Sequence, residues 1–192
     1  MCSSDLSKLC GVAFHHLHNI KRIRKYLSRE STEMLVHAFV TSLVDYCNSL
    51  LYGLPNYQFN KLQKVLNASA RLVCNAPRSC HISPLLRGLY WLPVKARIQF
   101  KILLITFKAI HGLAPKYLSD LLTFKSSLYN LRSSGSILLS MPAVRSKTLG
   151  DSASMVAAPR LWNSLPKELR TITNVNSLKA HIKTYLFRTL YW

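Results

Sequence analysis

Apolar residues in the first half of the chain recur every three or four positions, the period of a helix with one buried face. Leu6, Leu9, Val12, Ala13, Phe14, Leu17 and Ile20 form the first such stripe, and a basic run, Lys21-Arg22-Ile23-Arg24-Lys25, follows it. The stripe Leu35, Phe39, Leu43 and Leu50 predicts a second helix, capped by Ser31 or Thr32, with Glu33 in its first turn. Gly53 and Pro55 stop it just after Leu51. A third helix is expected from about Tyr57 to Cys74. At ~100° per residue, Phe59, Leu62, Leu66, Ala70 and Val73 share one side, while Asn60, Lys61, Lys64, Asn67 and Arg71 share the other. Pro77 breaks the pattern. Ser83-Pro84 then reads as an N-cap with proline at the first helical position, leading a short helix through Leu89.

The strongest pattern starts at Pro93 and ends at Gly112, a C′ residue by type and place. Phe100, Leu103, Phe107 and Ile110 cover one side of this helix, and Ile98, Ile102, Ile105 and Ala109 another. A helix apolar around most of its circumference is a buried one, so it is expected at the centre. Arg97, Lys101 and Lys108 leave a narrow basic seam for solvent or a ligand. After Pro115 a short helix over 116–122 precedes a polar stretch, Ser126, Ser127, Ser133, Ser134, Gly135 and Ser136. Ile137-Leu138-Leu139 and 143–148, separated by Met141-Pro142, suit a small β-hairpin. Short helices are expected over 153–162 and 166–170, then a last one capped by Asn176 and carrying Leu178, Ile182, Tyr185 and Leu186. The fold class expected is therefore mainly α. A helical body occupies 1–122, a Ser-rich linker 123–136, and a small α+β region 137–192.

Charge narrows the function. The chain has 26 Lys and Arg against 7 Asp and Glu, and 46–119 contains no carboxylate while holding ten basic residues. An apolar fraction of 49% argues against a disordered basic tail, so the cations sit on a folded scaffold. A net charge of +19 calls for a polyanionic partner, and nucleic acid phosphate is the commonest. On the third helix, Lys61, Lys64 and Arg71 lack the interleaved acids that usually pair at (i, i+4), which favours phosphate contact over a merely solvated face.

Candidate chemistry is sparse. Metal-dependent phosphoryl transfer needs converging carboxylates, whereas Asp5, Glu30, Glu33, Asp45, Asp120, Asp151 and Glu168 are scattered. No Gly-x-Ser-x-Gly, phosphate-loop or dinucleotide fingerprint is present. His15, His16 and His18 have no accompanying carboxylate, and Cys74, Cys80 and His81 have no fourth ligand at a zinc spacing, so no metal or other cofactor is expected. Five cysteines without a Cys-x-x-Cys pair read as buried reduced thiols. Lys101 and Lys108 interrupt the longest central apolar run, and the N-terminus lacks a secretory pattern, so a nuclear or cytoplasmic protein off the membrane is expected.

Several strings occur together in order. Asp45-Tyr46-Cys47-Asn48 lies within 43–55, and Leu62-Gln63-Lys64-Val65-Leu66-Asn67 within 62–72. Trp91-Leu92-Pro93-Val94-Lys95-Ala96-Arg97, Phe100-Lys101-Ile102 to Phe107-Lys108, Gly112-Leu113-Ala114-Pro115 and Leu131-Arg132-Ser133-Ser134 continue the series, and Ala158-Pro159-Arg160-Leu161-Trp162-Asn163-Ser164-Leu165-Pro166 completes it. As a set they resemble the C-terminal part of reverse transcriptases of LINE-type (non-LTR) retrotransposons, over about 14–187. The chain departs from the family pattern at Cys80 and Tyr90. The resemblance implies a region at the end of the palm, a thumb-like helical part and the tail beyond it. The family's catalytic carboxylates, including an aromatic-x-Asp-Asp box, belong to a palm that precedes the matched region, and this sequence has no such box. A thumb grips a template–primer duplex through its backbone. The expectation is thus a non-catalytic module binding an RNA–DNA duplex or element RNA through phosphates. Arg97, Lys101 and Lys108 are the first candidates, and Lys61, Lys64 and Arg71 the second. The alternatives are a translated remnant that has lost its palm partner and has no independent activity, and a co-opted protein-interaction module.

Overall fold

The computed structural model describes residues 3–46, 48–125, 137–142 and 154–192. The protein is mainly α, and its residues group into two compact units, Met1–Arg97 with Tyr191, and Ile98–Leu190 with Trp192.

In the first unit, α1 (Ser3–Ile23) is followed by a 3-10 turn (Arg24–Tyr26), then by α2 (Arg29–Val36), a π turn (His37–Thr41) and α3 (Ser42–Asp45). The N-cap of α2 is Ser28, whose hydroxyl accepts from the Ser31 N–H, and not Ser31 or Thr32. Thr32 is fully buried and donates its hydroxyl back to the Ser28 carbonyl. The helical run stops at Asp45, and Asn48–Leu51 forms a separate 3-10 turn. Next come α4 (Asn56–Cys74) and α5 (Ile82–Gly88). The last turn of α4 is closed by Asn75 in the left-handed region, with the Ala76 N–H on the Arg71 carbonyl. Helix α5 begins two residues before Pro84, with His81 in the cap position expected for Ser83.

Helices α1, α2 and α5 all pack on α4. The apolar face expected of α4 is buried, and it is broader than Phe59, Leu62, Leu66, Ala70 and Val73, because Gln58, Val65 and Ser69 are buried too. Leu6, Ala13, Leu17 and Ile20 of α1 and Val36, Val40 and Val44 of the α2–α3 segment are also buried. Burying a side chain of this size removes apolar surface worth about 1.5–3 kcal/mol, so the packing of these helices outweighs their propensities.

Helix α6 (Val94–Ile110) begins in the first unit and continues in the second. Its first N–H, on Val94, is accepted by the Gln63 side chain of α4 at 2.9 Å. Gly112 at φ +67° and the Leu113 N–H on the Lys108 carbonyl end it in a Schellman motif, as its sequence predicts. Ile98, Ile102, Leu103, Thr106, Phe107 and Ala109 are buried, which fits a helix apolar on most sides.

The second unit contains α7 (Lys116–Ser119), α8 (Ser154–Asn163), α9 (Lys167–Arg170) and α10 (Val175–Tyr191). Helix α10 is capped by Asn174, whose side chain accepts from the N–H groups of Asn176 and Ser177, so Asn176 is the recipient and not the cap. Phe107 and Trp162 lie 6.5 Å apart by ring centroids, with Leu139, Leu178 and Ile182 buried in the same unit. The only β-pairing among the described residues is an antiparallel bridge between Phe124 and Leu139. The second strand of the expected hairpin, 143–148, lies outside the described residues, as does most of the Ser-rich linker. Leu139 is held from its other edge by Asn163, which accepts from its N–H at 3.0 Å and donates to its carbonyl at 2.8 Å. The Trp162 indole N–H adds a bond to the Ile137 carbonyl. A side-chain amide thus satisfies a backbone that would otherwise need a second strand.

Candidate nucleic-acid interface

The six cations singled out by the sequence separate into two groups. Arg97 turns inward. Its side chain is 14% exposed, and Nη1 donates to Asp45 Oδ2 at 2.7 Å while Nε donates to the Leu92 carbonyl at 2.9 Å. The guanidinium also lies over the Trp91 ring at 5.9 Å. The Trp91 indole N–H donates to Glu33 Oε1 at 3.1 Å, and the His37 ring packs beside the indole at 5.1 Å. Arg97 is therefore part of a chain of contacts, Asp45–Arg97–Trp91–Glu33–His37, that fastens the start of α6 to α2 and α3. An arginine held at both Nε and Nη1 beside a buried indole is poorly placed to bind phosphate.

Lys61 Nζ donates to Ser7 Oγ at 3.0 Å and so links α4 to α1. Arg71 Nη2 donates to the Cys80 carbonyl at 3.3 Å and ties the 75–80 loop to its own helix, leaving a buried Nε without a described partner. Both residues contribute to the fold before they contribute to any ligand.

Lys64, Lys101 and Lys108 are different. Lys64 is exposed on α4, Lys101 is exposed on α6 and Lys108 is half-buried on α6, and none has a described partner. Within the second unit, Lys101 and Lys108 stand seven residues apart on one side of α6, about 10 Å along its axis. That is about three nucleotide steps of one strand. These are point charges on flexible stems, suited to phosphate and not to reading bases.

The scarce carboxylates of the first unit are committed elsewhere. Asp45 holds Arg97 and accepts from Asn48 Nδ2 at 3.3 Å, and Glu33 serves Trp91 and lies 3.5 Å from His37 Nε2. The Glu30 backbone N–H and the Ser28 hydroxyl hold the Glu30 carboxyl below its ordinary range. None of these three carboxylates has Lys64, Lys101 or Lys108 as a described partner.

Two of the thiols are held away from reactivity. Burial pushes Cys10 up, opposed by Lys61, and burial likewise pushes up Cys74, so both favour the unreactive protonated form. Cys10, Cys74 and Cys80 are free. Among the described residues no three His, Cys, Asp or Glu side chains come together as a metal site. His15 contacts Asn19 at 3.1 Å, and His16 stacks on Phe39 at 5.6 Å. No helix among the described residues is long and apolar enough to cross a membrane. Comparison of the chain with models of known protein families, with curated proteins and with solved structures finds no match.

Proposed function

We propose that the chain is a non-catalytic module that grips the sugar–phosphate backbone of an RNA–DNA duplex, as the thumb-like C-terminal region of a LINE-type reverse transcriptase would. The observation that carries this reading is that Lys64 in the first unit and, separately, Lys101 and Lys108 in the second have no described partner, in a segment, 46–119, without a single carboxylate. Arg97, Lys61 and Arg71 support it indirectly, by fixing the helices that present those lysines. The chain performs no chemistry of its own, and primer extension by the purified protein would overturn that.

Binding of a labelled RNA–DNA hybrid, measured by anisotropy over increasing salt, tests the reading. Affinity falls steeply with salt, and the Lys64→Ala/Lys101→Ala/Lys108→Ala variant flattens the log–log slope by about two to three. Affinity that is flat with salt, or a triple variant equal to the parent, defeats it. A second reading, a translated remnant whose first helices have lost a palm partner, draws on the exposure of Val12, Phe14, Met34 and Phe39. A sharp cooperative melt of the isolated monomer counts against that one.

A further inference from the structure

A second cationic surface lies where α1 gives way to α2, on residues that the duplex reading does not use. Arg24 welds this turn to the end of α4. Its Nε donates to the Leu72 carbonyl at 3.1 Å and Nη2 to the Val73 carbonyl at 3.2 Å, while Nη1 donates to its own turn at Leu27, 2.8 Å away. Around this fixed arginine Lys21, Arg22, Lys25 and Arg29 are all exposed. Arg24 and Arg29 stand close enough to Cys74, the last residue of α4, to oppose the effect of burial on its thiol.

Basic residues at helix ends often do no more than complement the helix dipole. Here that account falls short. The C-terminal ends of α1 and α4 supply about half a negative charge each. Glu30 and Glu33 add two more, against the five cations Lys21, Arg22, Arg24, Lys25 and Arg29. About two positive charges remain over residues 21–33 and the adjoining helix ends.

The same surface carries an aromatic ring. Tyr26 is 77% exposed, and the Lys25 ammonium lies 4.7 Å from its centroid. An aromatic this exposed contributes little to a core, while a ring flanked by cations is the pairing that holds unpaired bases, through stacking on the ring and phosphate contact beside it.

We infer that Lys21, Arg22, Lys25, Tyr26 and Arg29 form a binding site for single-stranded nucleic acid. Tyr26 stacks one base, and the four cations track the flanking phosphates. A duplex, whose bases are already stacked on one another, gives Tyr26 nothing to hold. The site shares a polyanionic partner with the proposed function but stands on different residues, and therefore fails or survives separately.

The test uses the full chain and three labelled probes of equal length, oligo(dT), oligo(rU) and an abasic oligodeoxyribose phosphate, with the RNA–DNA hybrid alongside. Tyr26→Leu is expected to weaken oligo(dT) or oligo(rU) binding by about five- to a hundredfold and to leave the abasic probe unchanged, while Tyr26→Phe retains binding. Lys21→Ala/Arg22→Ala/Lys25→Ala/Arg29→Ala should flatten the single-strand salt slope by about two to three. Preference between oligo(rU) and oligo(dT) identifies the strand chemistry. Equal affinity of Tyr26→Leu and the parent for both base-bearing strands overturns the site, and so does an unchanged salt slope in the quadruple variant. Loss of hybrid binding in the Lys64/Lys101/Lys108 variant with single-strand binding intact supports both surfaces. Hybrid binding that ignores that variant removes the duplex reading alone. Tyr26 and the four cations are exposed, so these substitutions leave the core in place.

Discussion

Arg97 shows how a residue's chemistry can be legible in the sequence while its partners are not. Its position on a basic seam is evident from the helical period, but Asp45 lies 52 residues away in sequence, and only folding brings the carboxylate within 2.7 Å. Arg97→Ala is expected to cost about 2–3 kcal/mol, because two charge-assisted bonds vanish and Asp45 loses its partner. Asp45 is 39% exposed on its side chain, so Asp45→Asn should cost less, about 1 kcal/mol. Arg97→Lys should recover under half of the loss, since an ammonium cannot make both bonds. Urea melts of the three variants measure this, and a neutral Arg97→Ala would make Arg97 a candidate for phosphate contact again. Two glycines make a paired case. Neither Gly88 nor Gly112 has an atom within 4 Å of an added Cβ, yet only Gly112 sits at positive φ, at +67°. Gly112→Ala should therefore destabilise by about 1 kcal/mol, and Gly88→Ala, inside α5, should stabilise by about 0.5–1 kcal/mol. The same melts test both signs.

The bodies of α4 and α6 follow from the sequence more closely than helix ends do, whereas in the expected second helix Val36, Val40 and Val44 are buried and Phe39 and Leu50 of the expected stripe are exposed. The apolar stripe of α4 and the whole length of α6 are legible because burial repeats over many turns and a single exception changes little. A cap depends on one side chain reaching one N–H, and Ser31 and Thr32 stand only three and four residues after Ser28. Pro84 misled for a related reason. The first-turn N–H groups of a helix have no intrahelical acceptor, so proline is tolerated at the third position as well as the first. Ser28→Ala should cost about 1 kcal/mol by thermal melting. It should also raise the Glu30 titration midpoint in a side-chain NMR titration, since the Ser28 hydroxyl helps to hold that carboxyl down. An unmoved midpoint would show that the Glu30 backbone N–H suffices. The sign for stability follows from the lowered value. The contribution of Glu30 is present above the ordinary carboxylate range and is lost as pH falls through the native value. The raised Cys10 and Cys74 thiols act at the opposite end. Their contribution is intact below the ordinary thiol range, and stability should decline in alkali as the unfolded thiols ionise first.

For the molecule as a whole, a charge of +19 with few acids implies self-repulsion that salt relieves. The melting temperature should rise as NaCl is increased from low to physiological concentration, and rise further with a saturating polyanion that binds the folded form. A melting temperature that falls over this range would mean that internal pairs such as Arg97–Asp45 outweigh the repulsion. The sequence by itself determined the helical class, the positions of the long helices and the surplus of positive charge, because periodicity and net charge are sums over many residues. Tertiary structure decided which of the cations find partners within the fold. Arg97, Lys61 and Arg71 have partners distant in sequence or in a returning loop, while Lys64, Lys101 and Lys108 have no described partner. It also left Tyr26 on the surface among lysines and arginines, a placement that composition cannot reveal. Contacts made across dozens of residues depend on how whole helices pack, and no local pattern of residues contains that information.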